Sequence, residues 1–173
     1  MSDSSIMWMH SDAIRRAREY AKNRRIELKE QLGAGYDGVV FSTNQESVIK
    51  SLRFDKLYHK ERDVYLRLRK NHIEKIEGFA VPALVDYDDF LWVVEIEIVS
   101  PPFVVDFAGA SLDTRSADYP PEVYEEWELE KREQFGENWP KVLSILSGFR
   151  RYGIYLADVK PGNIEFAPDE WNT

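Results

Sequence analysis

Apolar and polar positions change period several times along the chain, and each change marks an element. Ser11 or Asp12 can cap a helix running to about Arg25 through SDAIRRAREYAKNRR. Residues 1–10 before it read as a loose tail. From Ile26 to Leu32 the pattern alternates, which predicts a strand. VVFST, from Val39 to Thr43, predicts a second strand, with a turn at Asn44-Gln45. Ser47 to Arg53 predicts a third, with Val48, Lys50 and Leu52 on one face. The period lengthens over Asp55 to Lys70, where Leu57, Glu61, Val64, Tyr65 and Leu68 recur at helical spacing. A connector from Asn71 to Ala80 leads to a fourth strand, Val81 to Tyr87, placed near a sheet edge by Pro82. Phe90 to Val99, after a turn at Asp88-Asp89, predicts a long fifth strand; as a plain central strand it would have Glu95 and Glu97 as its solvent-facing members.

Ser100-Pro101-Pro102 ends this pattern and predicts a boundary. An acidic helical stretch follows from Asp118 to Gly136, opened by Pro120-Pro121, with a solvated acidic face. Asn138 caps a further helix to about Tyr152, whose core stripe is Trp139, Val142, Leu143, Leu146 and Phe149. Gly153 suits its C-terminal cap. The expected class is α+β: a five-stranded antiparallel sheet with one main helix, then a mostly helical part. The expected segments are a basic helical extension at 1–25, a sheet unit at 26–100 and the helical unit at 101–173.

Composition narrows the class. With 43% hydrophobic and 31% charged residues, the 173-residue chain is expected to be globular. No apolar run reaches the length of a membrane span, and the first ten residues lack the pattern of a secretory signal. The absence of cysteine excludes disulfides and thiolate metal sites and fits a reducing cytoplasm. A net charge of −8 argues against general nucleic-acid binding. Six basic residues of the first helix, Arg15, Arg16, Arg18, Lys22, Arg24 and Arg25, are expected to form a solvated face.

Candidate chemistry sits where polarity departs from the pattern. Gly33, Gly35 and Gly38 form Gly-x-Gly-x-x-Gly, with Val40 two residues beyond. Such a loop lets backbone N–H groups approach phosphate oxygens. A dinucleotide fingerprint with this spacing opens into a helix, whereas here a strand follows. Lys50 interrupts one apolar face and Glu61 interrupts an apolar stripe. A buried charge is costly unless paired, so the two are expected to be partners. Asp158, Lys160 and Asn163 then fall together on a turn at Pro161-Gly162, between a helical pattern and a short apolar piece.

The order of these motifs resembles the protein-kinase-like superfamily, from Ile26 to about Phe166. DVKPGN fits its catalytic loop, Asp-x-Lys-x-x-Asn, although Leu156 and Ala157 stand where the family has His-Arg. The resemblance implies ATP as ligand, with the glycine loop, Val40 and Lys50 around it and Glu61 orienting Lys50. It implies that Asp158 accepts a proton from the substrate hydroxyl, Lys160 steadies the moving phosphoryl group and Asn163 holds magnesium. Glu97, Ile98 and Val99 would meet adenine, with Ile96 behind them. Asp106 or Asp113 could contact a ribose or a substrate.

The family's Asp-Phe-Gly metal ligand is not found before Thr173. Asp169, or else Glu165, is the candidate replacement. Two functions follow from the resemblance. One is a minimal phosphotransferase of Ser/Thr type, or one acting on a small molecule. The other is a pseudokinase-like module that binds nucleotide or a partner without turnover. A protein partner or a second copy would complete the short helical part.

Overall fold

The computed structural model describes residues 3–115 and 117–168, with side chains from residue 10 onward. The described chain is α+β. Its elements are α1 (Asp3–Arg24), β1 (Leu28–Ala34), β2 (Gly38–Thr43), β3 (Ser47–Leu52), α2 (Asp55–Lys70), β4 (Lys75–Ile76), β5 (Phe79–Ala80), β6 (Leu84–Asp88), β7 (Val93–Glu97), β8 (Phe103–Val104), β9 (Ser111–Leu112), α3 (Pro121–Phe135), α4 (Trp139–Arg150), β10 (Ile154–Tyr155) and β11 (Ile164–Glu165). A single 3₁₀ turn, Gly136–Asn138, joins α3 to α4. No described helix is long and apolar enough to cross a membrane.

Contacts divide the chain into two units, residues 1–66 with 83–98, and residues 67–82 with 99–173. This differs from the linear division expected from the sequence. α1 packs on the sheet of the first unit. Residues 67–82 join the second unit, because β5 pairs with β8 there. The later boundary falls between Ile98 and Val99.

The first unit is built on an antiparallel sheet of order β1-β2-β3-β7-β6. β6, the strand after Pro82, lies at one edge. The sheet is covered on both faces. Ala17, Tyr20 and Ala21 of α1 pack with Ile49 and Val93 on one face, flanked by Ile26, Leu28, Phe41 and Leu91. Successive strand residues point to opposite faces, so Lys50 points the other way, toward α2. α2 turns its buried Tyr58, Glu61, Val64 and Tyr65 inward. Tyr58, absent from the stripe expected for this helix, is fully buried. It donates to Asp89 at 2.6 Å, and Arg62 Nη1 donates to the same oxygen at 2.6 Å. These bonds fasten α2 to the turn between β6 and β7.

α1 corrects two expectations. It begins at Asp3, where a loose tail was expected. Its basic residues are also not all solvated. Arg16 is buried, donates to the carbonyls of Leu91 and Leu52, pairs with Asp12 and lies 4.6 Å from the centre of the Trp92 ring. Burial lowers its pKa from the ordinary guanidinium value. Arg24 lies 3.8 Å from the Tyr20 ring centre and donates to Asp86 at 2.6 Å and to the Tyr87 carbonyl at 3.2 Å. Guanidinium groups suit this use, since one fork can satisfy several acceptors and stack on a ring.

The same two-sided cover explains Glu95. It was expected to face solvent, yet it is 3% exposed, while Glu97 is exposed. Glu95 accepts from Tyr20 Oη at 2.9 Å and from Ser47 Oγ at 2.5 Å. A strand with a helix on each face has no solvent side. Its pattern is then near-continuously apolar, and the polar exception needs partners.

The second unit holds two small sheets, β10-β9 and β11-β8-β5-β4, beside α4. α4 buries Trp139, Val142, Ile145, Leu146 and Phe149. Leu143, expected in this stripe, is exposed, and Ile145 takes the core position instead. Phe149 meets Phe107 edge-on, with ring centres 5.7 Å apart. Asn138 precedes α4 without a side-chain cap bond, because the 3₁₀ turn leads into the helix directly. α3 buries only Phe135.

Candidate functional site

Two polar clusters carry the residues singled out in the sequence, one in each unit. In the first, Lys50 sits on the central strand β3, opposite Val40 on β2 and Val94 on β7. Its Nζ lies 2.9 Å from both carboxylate oxygens of Glu61. Lys50 is 8% exposed and Glu61 1%. Strand alternation turns the lysine to the α2 face, and helical spacing puts the glutamate on the buried stripe of α2. Removing either partner would leave an uncompensated buried charge.

The glycine motif forms the hairpin between β1 and β2. Gly35 N–H donates to the Gly38 carbonyl at 3.0 Å, and Arg53 N–H to the Asp37 carbonyl at 2.7 Å. The three glycines differ in what demands them. At Gly38, with φ +155°, a Cβ would overlap the Ser51 carbonyl oxygen, so close approach of β2 to β3 requires glycine. At Gly33 and Gly35 a Cβ would meet nothing within 4 Å. Gly33 lies within β1 and pairs with the half-buried Val40. Neighbouring protein atoms therefore leave open space over those two glycines. At the hairpin tip Tyr36 is 71% exposed and 5.9 Å from Phe54, and the Arg53 guanidinium lies 4.7 Å from the Phe54 ring centre. Sequence reading missed this cluster, because Tyr36 and Phe54 belong to no periodic stripe.

Glu97 closes β7 and its N–H donates to the Ala83 carbonyl at 3.0 Å. Ile98 N–H donates to the Glu46 carbonyl at 3.4 Å, and Ile96 is buried. Val99 falls in the second unit.

In the second unit the segment 156–163 forms the loop between β10 and β11. Buried Val159 anchors it, and Gly162 turns it with φ +92°, a conformation that favours glycine. Asn163 N–H and Ile164 N–H both donate to the Lys160 carbonyl, at 3.1 and 3.2 Å. The three polar side chains converge on one oxygen. Asp158 Oδ2 accepts from Asn163 Nδ2 at 3.0 Å and lies 2.8 Å from Lys160 Nζ. Asn163 Nδ2 also donates to the Asp158 carbonyl at 3.0 Å. One oxygen is held by an ammonium and an amide.

Metal ligation fits this loop poorly. Among the described residues no group of three His, Cys, Asp or Glu side chains could hold a metal ion. Asn163 offers a neutral amide oxygen beside a carboxylate already paired with Lys160. Magnesium is usually bound through one or two carboxylates together with phosphates and water. Glu165 is exposed on β11, and Asp169 lies outside the described residues.

The two aspartates considered for ribose or substrate are otherwise engaged. Asp113 gives both carboxylate oxygens to Arg67, each at 2.9 Å, and this fork holds its pKa below the usual carboxylate value. Asp106 Oδ1 accepts the Ala108 N–H at 3.0 Å.

Comparison of the chain with models of known protein families and with curated proteins finds no match.

Proposed function

We propose that the protein is a kinase-like nucleotide-binding protein that transfers the terminal phosphoryl group of ATP to a hydroxyl. The observation that carries this reading is the buried pair of Lys50 and Glu61, with Nζ 2.9 Å from each carboxylate oxygen. An ammonium has three donors, and phosphate oxygens accept such donors as a carboxylate does. The open space over Gly33 and Gly35 supports the same reading, since no protein packing there demands glycine. Asp158 supports the transfer step. Its Oδ2 is tied to Lys160 and Asn163, and Oδ1 takes the proton of the acceptor hydroxyl. The hydroxyl oxygen bonds to the terminal phosphorus, the bond from that phosphorus to the bridging oxygen breaks, and ADP leaves. Lys160 offsets negative charge on the moving group.

Nucleotide binding without transfer is the second reading. The poor metal donor set at Asn163 and the Lys160–Asp158 ion pair favour it.

A thermal-shift titration with magnesium–ATP, followed by a radiolabelled transfer assay on small hydroxyl compounds and on the protein itself, separates the readings. A rise in Tm that disappears in Lys50→Met supports nucleotide binding. Label transfer that is lost in Asp158→Asn supports catalysis. No shift with any nucleotide overturns both.

A further inference from the structure

The loop that carries Asp158 is held at both ends by one stretch of chain. At its exit, β11 pairs with β8, and Val105 N–H donates to the Asn163 carbonyl at 2.8 Å. At its entry, β10 pairs with β9, and Asp113 N–H donates to the Gly153 carbonyl at 2.7 Å. The entry has an added fastening. Arg67, in the last turn of α2, donates from Nη1 to Asp113 Oδ1 and to the Tyr152 carbonyl, and from Nη2 to Asp113 Oδ2, all at 2.9 Å. One guanidinium thus joins the residue after β9 to the backbone just before β10.

This fastening is built at a local cost. Asp113 is held at φ +65°, a region that non-glycine residues seldom occupy. Gly153 has φ +71°, and a Cβ there would overlap Asp113 Oδ1 and lie 2.8 Å from Arg67 Nη1. Side chains of Arg67 and Asp113 are 27% and 66% exposed. Exposed ion pairs contribute little to global stability. Strained backbone held around a weakly stabilising pair points to a local geometric purpose.

We infer that Arg67 is a positioning residue: with Asp113 and Gly153 it clamps the entry strand of the Asp158 loop and so fixes where the Asp158 carboxylate sits. The kinetic arm of the test rests on the phosphotransfer reading, and the exchange arm does not. Arg67→Lys keeps the charge and loses the planar fork. In a transfer assay, kcat should fall by about tenfold or more, since small misplacements of a reacting group are costly. The KM for ATP and the ATP-induced rise in Tm should stay unchanged. Asp113→Asn should reproduce the effect, and the double variant should be no worse than either single one. An unchanged kcat in a folded Arg67→Lys protein overturns the proposal.

Amide hydrogen exchange over residues 154–164 is measured on the same proteins without nucleotide. Faster exchange at Asn163 and Ile164 in Arg67→Lys, at equal Tm, is the expected result. Unchanged exchange overturns the clamp even where wild type transfers no phosphate. Should Arg67→Lys fail to fold, Asp113→Asn and Gly153→Ala carry the same two measurements. A wild-type protein with no nucleotide response but with the exchange effect would sink the phosphotransfer reading and leave the clamp standing.

Discussion

Lys50 Nζ, from the central strand of the first unit, lies 2.9 Å from each carboxylate oxygen of Glu61 on α2, and both residues are buried. The two charges are separable from stability by substitution. Lys50→Met or Glu61→Leu alone leaves one unpaired buried charge and is expected to cost about 3–5 kcal/mol. The double variant replaces the pair by apolar groups and should recover most of that loss. Urea unfolding measures it. Recovered stability without a recovered ATP-induced shift would show that the pair serves binding rather than folding.

The glycine hairpin should respond unevenly. Gly38→Ala forces a Cβ into the Ser51 carbonyl and is expected to destabilise by at least about 1–3 kcal/mol. Gly35→Ala meets no protein atom within 4 Å and should change stability by less than about 0.5 kcal/mol. If nucleotide phosphates approach this hairpin, Gly35→Ala should still weaken the magnesium–ATP shift. Equal stability losses in the two variants would contradict the geometry.

Glu95 depends on α1. Tyr20→Phe removes the hydroxyl that donates to its carboxylate at 2.9 Å. A buried carboxylate that loses a donor should cost about 1–3 kcal/mol in denaturant unfolding. Glu95→Gln in the same background should return part of that loss, because the neutral amide needs less solvation.

Acid stability should track Asp89. Its pKa is held below the usual carboxylate value by the Tyr58 hydroxyl and then by Arg62. A carboxylate depressed in the folded state contributes stability that is whole above its unfolded pKa, about 3.9. The contribution is lost as pH falls through the lower folded value. The Tm difference between wild type and Asp89→Asn should therefore be constant from about pH 5 to 7 and shrink below about pH 4. A gap that widens on acidification would reverse the assigned sign.

Much of the first unit was legible because its signals are local. The alternation around Lys50 and the helical spacing around Glu61 each mark a charge on an apolar face, and one contact resolves both. Glu95 was misread for a physical reason. Alternation tells the two faces of a strand apart, and it carries no information on whether a second helix covers the outer one. FLWVVEIEIV, apolar on both faces, was the available sign that both are covered. Arg16 was placed on a solvated face for a similar reason, since a basic helix reads as solvated until its acceptors, the carbonyls of Leu52 and Leu91, are known.

By itself the sequence determined the α+β class, the antiparallel strands around the glycine hairpin, the span of α2 and the grouping of Asp158, Lys160 and Asn163 on one turn. These follow from period, turn residues and spacing, which act over a few residues. Only the tertiary structure decided that α1 seals a sheet face, that Asp113 belongs to Arg67, and that three side chains meet at Asp158 Oδ2. Those outcomes depend on which distant groups satisfy a buried or strained polar atom, and that choice is made by packing rather than by any neighbour in the chain.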